Sequence, residues 1–311
     1  MRLIRDVDLP LNGGCVLSIG NFDGLHKGHK ALIDALVCEA DRLQLPALVW
    51  TFEAHPQSFL AGKPFEYIVG PDDKEALFRE AGVDLLYSAD FQKLRDVEPE
   101  VFVSEVICKL FGAKHVICGF NFCFGKNRGG NAEVLRRLLA EHGVGLTTVA
   151  PVFVDGEAVS STRLRELISA GEMEKTAELL GRCYSCILPV LDGFKRGRKL
   201  GHPTVNQRFP KGRVIPSHGV YASFCTVDGR VFESVTNIGI NPTFGDVSEP
   251  VCETHLFGFE GELYGKKVKV SLCKKLRDEI KFGSAEDLKN RIDLDIAEAQ
   301  AFLRNYDKNL L

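Results

Sequence analysis

The chain has 311 residues, 45% hydrophobic and 26% charged, with a formal net charge of −3 at pH 7. That length suits two domains better than one, and so small a net charge gives no field for a polyanion, so nucleic acid is not an expected partner. No apolar run approaches the roughly 18 residues of a membrane span, and Met1-Arg2-Leu3-Ile4-Arg5-Asp6 lacks a signal-peptide core, so no membrane association is expected. The ten cysteines lie scattered, without the spacing of a disulfide framework, which fits a cytoplasmic location.

The apolar run 15–20 predicts a buried strand, followed by the turn Gly20-Asn21-Phe22-Asp23-Gly24 and a helical pattern over 29–43. A strand, a glycine turn and a helix N-terminus make an anion site, because unpaired N–H groups and the positive end of the helix dipole converge there. His26 and His29, with Gly28 between them, stand at that point as donors for a phosphate. On the residues alone, two surface histidines at a helix start remain the alternative. No Walker loop, G-x-x-x-x-G-K-[ST], occurs in the chain. Further strands are predicted at 47–52, 85–88, 114–118 and 146–149, with helices near 73–81, 99–111 and 131–142. Such alternation implies a parallel sheet with helices on both faces, binding ligands where its strands end.

Two other segments of this half carry chemistry. In Gly119-Phe-Asn-Phe-Cys-Phe-Gly125, the rings of Phe120, Phe122 and Phe124 would share one face if extended, as a platform for a flat ligand or as a buried aromatic face. In Val159-Ser-Ser-Thr-Arg-Leu-Arg165, Ser160 or Ser161 can cap a helix whose N–H groups meet phosphate oxygens, with Arg165 one turn on as a clamp. A capped surface helix is the other reading.

Beyond Gly181 the rhythm changes to short β-rich stretches at 184–191, 220–227, 231–239, 251–259 and 268–272. Asp228-Gly229 signals a type I′ hairpin, and the set predicts a closed antiparallel barrel. Cys183-x-x-Cys186 has zinc or redox spacing, but it falls in a strand pattern with no second pair, which favours structural thiols. Ser284-Ala-Glu-Asp287 caps a final helix whose stripe Leu288, Ile292, Ile296, Ala299 and Leu303 is expected to pack on the barrel. The expected domains are 1–180 and 181–311.

The pattern G-N-F-D-G-x-H-x-G-H over residues 20–29 resembles the nucleotidyltransferase signature, in the longer form found in prokaryotic bifunctional riboflavin kinase/FMN adenylyltransferases (FAD synthetases). The resemblance extends through Thr51-Phe-Glu-Ala-His-Pro56, Gly119–Gly125 and Val159–Arg165 to Gly197-Arg-Lys-Leu-Gly-His-Pro-Thr-Val-Asn206, Asn237-Ile-Gly-Ile-Asn-Pro-Thr-Phe-Gly245, Glu253-Thr-His255 and Leu276–Phe282. It implies a Rossmann-like adenylyltransferase domain and a riboflavin kinase barrel with a terminal helix. ATP would be the co-substrate, riboflavin and FMN the substrates and FAD the product.

Carried onto this sequence, the resemblance makes His26, His29 and Arg165 the donors for adenylyl transfer and Glu253 the general base of the kinase. Nucleotide contacts would come from Gly20, Asn21, Phe22, Asp23, Gly24, Gly28, Asn121, Ser160, Ser161 and Thr162 in the first half. In the second they would come from Gly197, Gly201, Pro203, Thr204 and Asn206. Flavin contacts would be Phe52, His55, Phe124 and Arg277. Thr204 and Asn206 would complete the shell of a Mg²⁺ carried by ATP. The departures are Ala54 for Pro, Leu188 for Gly, His202 for an apolar residue, Val205 for Ala and Asn131 for Asp, and none removes a catalytic group. One inactive half, or a non-catalytic flavin sensor or storage protein, are the competing readings; self-association is left open.

Overall fold

The computed structural model describes residues 1–60, 65–191, 204–240 and 250–311. Two compact units divide the chain: Met1–Tyr67 with Lys74–Ser160, and Ile68–Asp73 with Ser161–Leu311. No helix among the described residues is long and apolar enough to cross a membrane.

Six parallel strands form the sheet of the first unit, in the order Arg2–Ile4, Leu85–Ala89, Ala47–Phe52, Cys15–Ile19, Ala113–Gly119, Gly145–Val149. Cys15–Ile19 is buried at every position and Ala47–Phe52 at all but the last, so both faces of the sheet centre are covered. Five of the six strands match the sequence expectation. Arg2–Ile4 does not, because three residues with two exposed carry no readable period. Helix Lys27–Leu43 buries Ile33, Leu36 and Ala40, one stripe of a 3.6-residue period. The expected helix 99–111 is Pro99–Val101 running into a π-helix, Phe102–Leu110, in which the Phe111 N–H reaches the Val106 carbonyl. Helix Ala132–Glu141 starts at Asn131, whose side-chain oxygen accepts the N–H groups of Glu133 and Val134. The family's aspartate is thus replaced by an equally good cap. Trp50 sits at the core, its ring 5.1 Å from Phe102.

The second unit is an antiparallel sheet ordered Tyr184–Pro189, Lys267–Arg277, Gly219–Val227, Arg230–Ile240, Pro250–Leu256, Val205–Arg208. Its two ends meet at a bridge between Leu191 and Asn206. There the buried Gln207 amide donates to the carbonyls of Leu188 (2.7 Å) and Val268 (3.0 Å). Asp228 and Gly229 both take positive φ (48° and 78°), the type I′ turn that the dipeptide predicts. Helix Ala285–Leu303 is capped by the Ser284 side chain, and its Ala299 and Leu303 pack against Val220, Ala222, Phe224 and Val235. Helices Ser161–Ala170 and Met173–Leu180 belong to this unit. Cys183 and Cys186, three residues apart on extended backbone, face opposite ways. Cys183 Sγ instead lies 3.5 Å from Cys273 Sγ and 3.0 Å from the Tyr306 hydroxyl.

Among the described residues of this unit Arg213 is the charged group most completely sealed, 2% exposed. Its Nη1 donates to Asp73 Oδ2 (2.6 Å), Nη2 to the Ser185 carbonyl (2.8 Å) and Nε to the Tyr184 hydroxyl (3.3 Å). Asp73 in turn accepts the Ile187 N–H through Oδ1 (3.0 Å) and the Gly70 N–H through Oδ2 (3.3 Å). Removing one partner leaves a buried charge uncompensated, at a cost of about 3–5 kcal/mol, whereas removing both is far milder. Asp73→Asn is therefore expected to destabilise the second unit by roughly 3 kcal/mol, and adding Arg213→Met to recover much of the loss. Hydrogen exchange in the barrel strands is the suitable readout, since the lone tryptophan lies in the first unit; equal stability of the single and double variants would refute the expectation.

Candidate active sites

In the first unit the sheet delivers strand Cys15–Ile19 straight into the turn before helix Lys27–Leu43. Phe22 (φ 47°) and Leu25 (φ 41°) hold left-handed backbone around Gly24 (φ 90°). For the two non-glycine residues this costs about 1–3 kcal/mol each and persists only where the surroundings impose it. Phe22 is fully buried, edge-on to Phe78 (5.5 Å) and His29 (5.4 Å). The Asn21 carbonyl accepts from the Thr51 hydroxyl (3.2 Å) and from Lys74 Nζ (3.1 Å). Asp23 is buried beside them at 2% exposure.

His26 is the N-cap of the helix, its Nδ1 accepting the His29 N–H at 3.2 Å. A ring nitrogen that accepts carries no proton, so in the neutral tautomer the proton sits on Nε2. The His26 and His29 rings stack in parallel, 3.7 Å apart. Gly28 permits this, because a Cβ there would lie 3.1 Å from His26 Cε1. The same Cβ would come within 4.0 Å of the Val159 carbonyl, so the chain just before Ser160 borders the histidine turn. Ser160 precedes helix Ser161–Ala170, which contains Thr162, with Arg165 half-buried one turn in.

The aromatic segment departs from the extended form. A turn bonds the Phe122 N–H to the Gly119 carbonyl, leaving Phe120 and Asn121 exposed while Phe122 stacks on Phe124 at 5.6 Å. The three rings do not share a face, and Phe124 is buried against Phe102 (5.5 Å). Phe52 packs between Trp50 and Phe91. His55 stacks on Phe65 at 3.8 Å, and its Nδ1 accepts the Gln57 N–H.

In the second unit the register of the sheet assembles the site. Asn206 pairs with Glu253, Glu253 with Asn237, Asn237 with Val220, and Val220 with Arg277. Directly opposed residues share a face, with Cβ atoms about 4.5–5.5 Å apart, so these five form a row across the sheet. Val220 packs against the terminal helix, which puts the row on the helix-bearing face. Asn206, Glu253 and Asn237 are half-buried, whereas the alternate residues Gln207, Cys252, Thr254, Thr236 and Ile238 are buried on the other face. There Ser223, Ser234, Thr236 and Thr254 link their hydroxyls at 2.8–2.9 Å. Thr204 is half-buried, two residues before Asn206. The guanidinium of Arg277 is held by buried Asp295, Nε to Oδ1 at 2.9 Å and Nη2 to Oδ2 at 2.6 Å, with Nη1 on the Asp278 carbonyl. Gly197, Gly201, Pro203 and His202 lie outside the described residues, as does 241–245 of the Asn237–Gly245 motif.

Lys74 and Glu279 were not legible as site neighbours in the sequence. Lys74 sits on a helix whose pattern marks only its apolar face. Glu279 lies over Gly239, where a Cβ would fall 2.6 Å from its Oε1; a glycine inside a strand is the signal that could have announced such a close approach. No group of three or more His, Cys, Asp or Glu among the described residues could hold a metal ion.

An FAD synthetase family model matches residues 9–163 and a riboflavin kinase family model residues 180–303. A bifunctional riboflavin kinase/FMN adenylyltransferase of Pseudomonas fluorescens is 34% identical over 304 residues, 97% of either chain. Its counterpart from Haemophilus influenzae is 34% identical over 295 residues, 94% of this chain and 95% of its own. A crystal structure of a macrolide-efflux protein from Streptococcus pneumoniae superposes with a TM-score of 0.86 at 28% identity, covering 98% of this chain and 99% of that one. With both models matched in series and such relatives aligned almost end to end, the chain belongs to the bifunctional riboflavin kinase/FMN adenylyltransferase family.

Proposed function

We propose that the second unit phosphorylates riboflavin to FMN with ATP, and that the first adenylylates FMN to FAD with release of pyrophosphate. The observation that carries the reading is the cross-strand row Asn206–Glu253–Asn237, which sets a half-buried carboxylate between two amides on the helix-bearing face. A ribityl hydroxyl is a poor nucleophile at neutral pH. Glu253 takes its proton as the oxygen attacks the γ-phosphorus of ATP and the bond to ADP breaks. Thr204 and Asn206 offer neutral oxygens suited to Mg²⁺, a hard cation that keeps few protein ligands when ATP phosphates supply the rest. When bound, the ion neutralises charge on the transferring phosphoryl group.

In the first unit an FMN phosphate oxygen attacks the α-phosphorus of ATP and pyrophosphate leaves. Such a transfer needs positioning and charge neutralisation more than covalent help. His26 and His29 donate from the helix N-terminus, beside the N–H groups of residues 20–24; Arg165 and residues 160–162 are assigned to phosphate contacts on the resemblance alone. Asn121, Phe52, His55, Phe124 and Arg277 are assigned to substrate contacts on the resemblance. The catalytic domains are proposed as 1–180 and 181–311. Incubation with riboflavin and, separately, with FMN, each with ATP and Mg²⁺, followed by chromatography distinguishes this enzyme, which converts both, from a single-activity form, which converts only one, and from a binding protein, which converts neither.

Three outcomes are expected of variants. Glu253→Gln keeps the shape and a hydrogen bond but not the base, so riboflavin and ATP bind nearly as before while kinase turnover falls roughly 10²-fold or more. FMN adenylylation by the same variant stays normal; kinase turnover within a few-fold of wild type would remove Glu253 as the base.

With His26 and His29 both changed to Ala, FMN accumulates and FAD formation is lost. Near-normal FAD production by that variant would show the turn wrongly assigned.

A fragment beginning at Gly181 phosphorylates riboflavin unaided, though at reduced thermal stability because it lacks Asp73. A folded fragment without kinase activity would count against the boundary.

A further inference from the structure

We propose that Lys74 is a positioning residue of the adenylyl-transfer site, holding the strained turn that aims His26 and His29; this rests on the assignment of that turn to adenylyl transfer. Helix Pro71–Glu80 turns one face to the loop. Phe78 and Lys74, four residues apart, lie on that same face. Phe78 is fully buried and meets the Phe22 ring edge-on, and Phe22 meets His29 in the same way. One turn away, Lys74 Nζ donates to the Asn21 carbonyl at 3.1 Å. The helix therefore braces the loop twice, through an apolar contact to Phe22 and through an ammonium on the peptide just before it.

Lys74 is half-buried where it makes this contact. Burial holds the Lys74 pKa below its ordinary value, with the Asp23 carboxylate opposing that shift. The Thr51 hydroxyl already satisfies the Asn21 carbonyl, so a neutral apolar side chain at 74 would leave no acceptor stranded. What the charge adds is fixed polarity. It pins the Asn21–Asp23 peptides between a cation and the sheet, so their N–H groups keep one orientation when a polyanionic phosphate arrives. A loop with left-handed backbone at Phe22 and Leu25 relaxes once such a constraint is removed. Misplacement of the histidine donors by about 1 Å is enough to cost roughly 10²-fold in rate.

The test uses the full chain and both activities. Lys74→Met is expected to lower kcat for FMN adenylylation by about 10²-fold, with KM for ATP changed only a few-fold and riboflavin phosphorylation unaltered. Lys74→Arg, which restores a cation within reach of the Asn21 carbonyl, is expected to recover most of the loss. Unchanged adenylylation in Lys74→Met, a loss confined to KM, or failure of Lys74→Arg to recover would each overturn the proposal. Should Lys74→Met not fold, Lys74→Gln keeps a donor without the charge. Its kcat is expected to fall while its KM holds, and full activity there would be equally fatal. The His26→Ala/His29→Ala variant run alongside separates the two levels: FAD formation surviving in it defeats the site assignment, whereas its loss beside an active Lys74→Met defeats only the role of Lys74.

Discussion

A guanidinium shut away from water must be met by a carboxylate and by acceptors for its remaining protons, and the second unit is organised around meeting that demand at Arg213. Asp73 supplies the charge, while Ser185 and Tyr184 supply the acceptors from the first barrel strand. Asp73 also takes the N–H of Ile187, so one carboxylate both neutralises the arginine and ties down the strand beside it. This requirement accounts for the discontinuous division of the chain: residues 68–73 are taken up by a barrel that begins more than a hundred residues later. At the next peptide bond the chain returns to the first unit, where Lys74 serves the histidine turn.

The two units handle phosphate by different physical routes. In the parallel sheet, strands end and helices begin along one edge, so backbone N–H groups and a helix dipole gather there before any side chain is chosen. The side chains then refine that site, as when Gly28 lets the His26 ring fold back over the helix start. The antiparallel barrel offers no such edge. The chemistry proposed for it rests on side chains brought level across neighbouring strands: Asn206, Glu253 and Asn237, widely separated in sequence, stand side by side.

Elements with a strong period were legible in the sequence, among them the five main parallel strands, the Asp228-Gly229 hairpin and the last part of the terminal helix stripe, Ile296, Ala299 and Leu303. Arg2–Ile4 was hidden because it is short and lies at the sheet edge. The three-phenylalanine face failed because extended geometry was assumed where Gly119 and Phe122 close a turn. His26 and Glu253 are proposed from motifs that are local in the sequence. Lys74 and Asp73 could not be read there, since each acts through tertiary contacts that leave no trace in spacing, and the trace of Glu279 was only a glycine, Gly239, inside a strand. Cys183 and Cys186 showed the reverse error, a suggestive spacing that strand alternation pulls apart.

Strand Pro250–Leu256 is hydrogen-bonded on both sides, to Val205–Arg208 and to Arg230–Ile240. Side chains alternate along it with a period of two, so a shift of one residue against its neighbours would carry Glu253 to the opposite face, among the linked hydroxyls, and bring Cys252 or Thr254 into the row. Such a barrel would retain nearly all of its backbone pairing and yet present a thiol or a hydroxyl where a carboxylate belongs. With Glu253 in the role proposed for it, folding to the correct alignment and possession of a base are a single event in this unit. Phosphoryl transfer would serve as a proofreading signal for strand alignment that bulk measures of secondary structure cannot give.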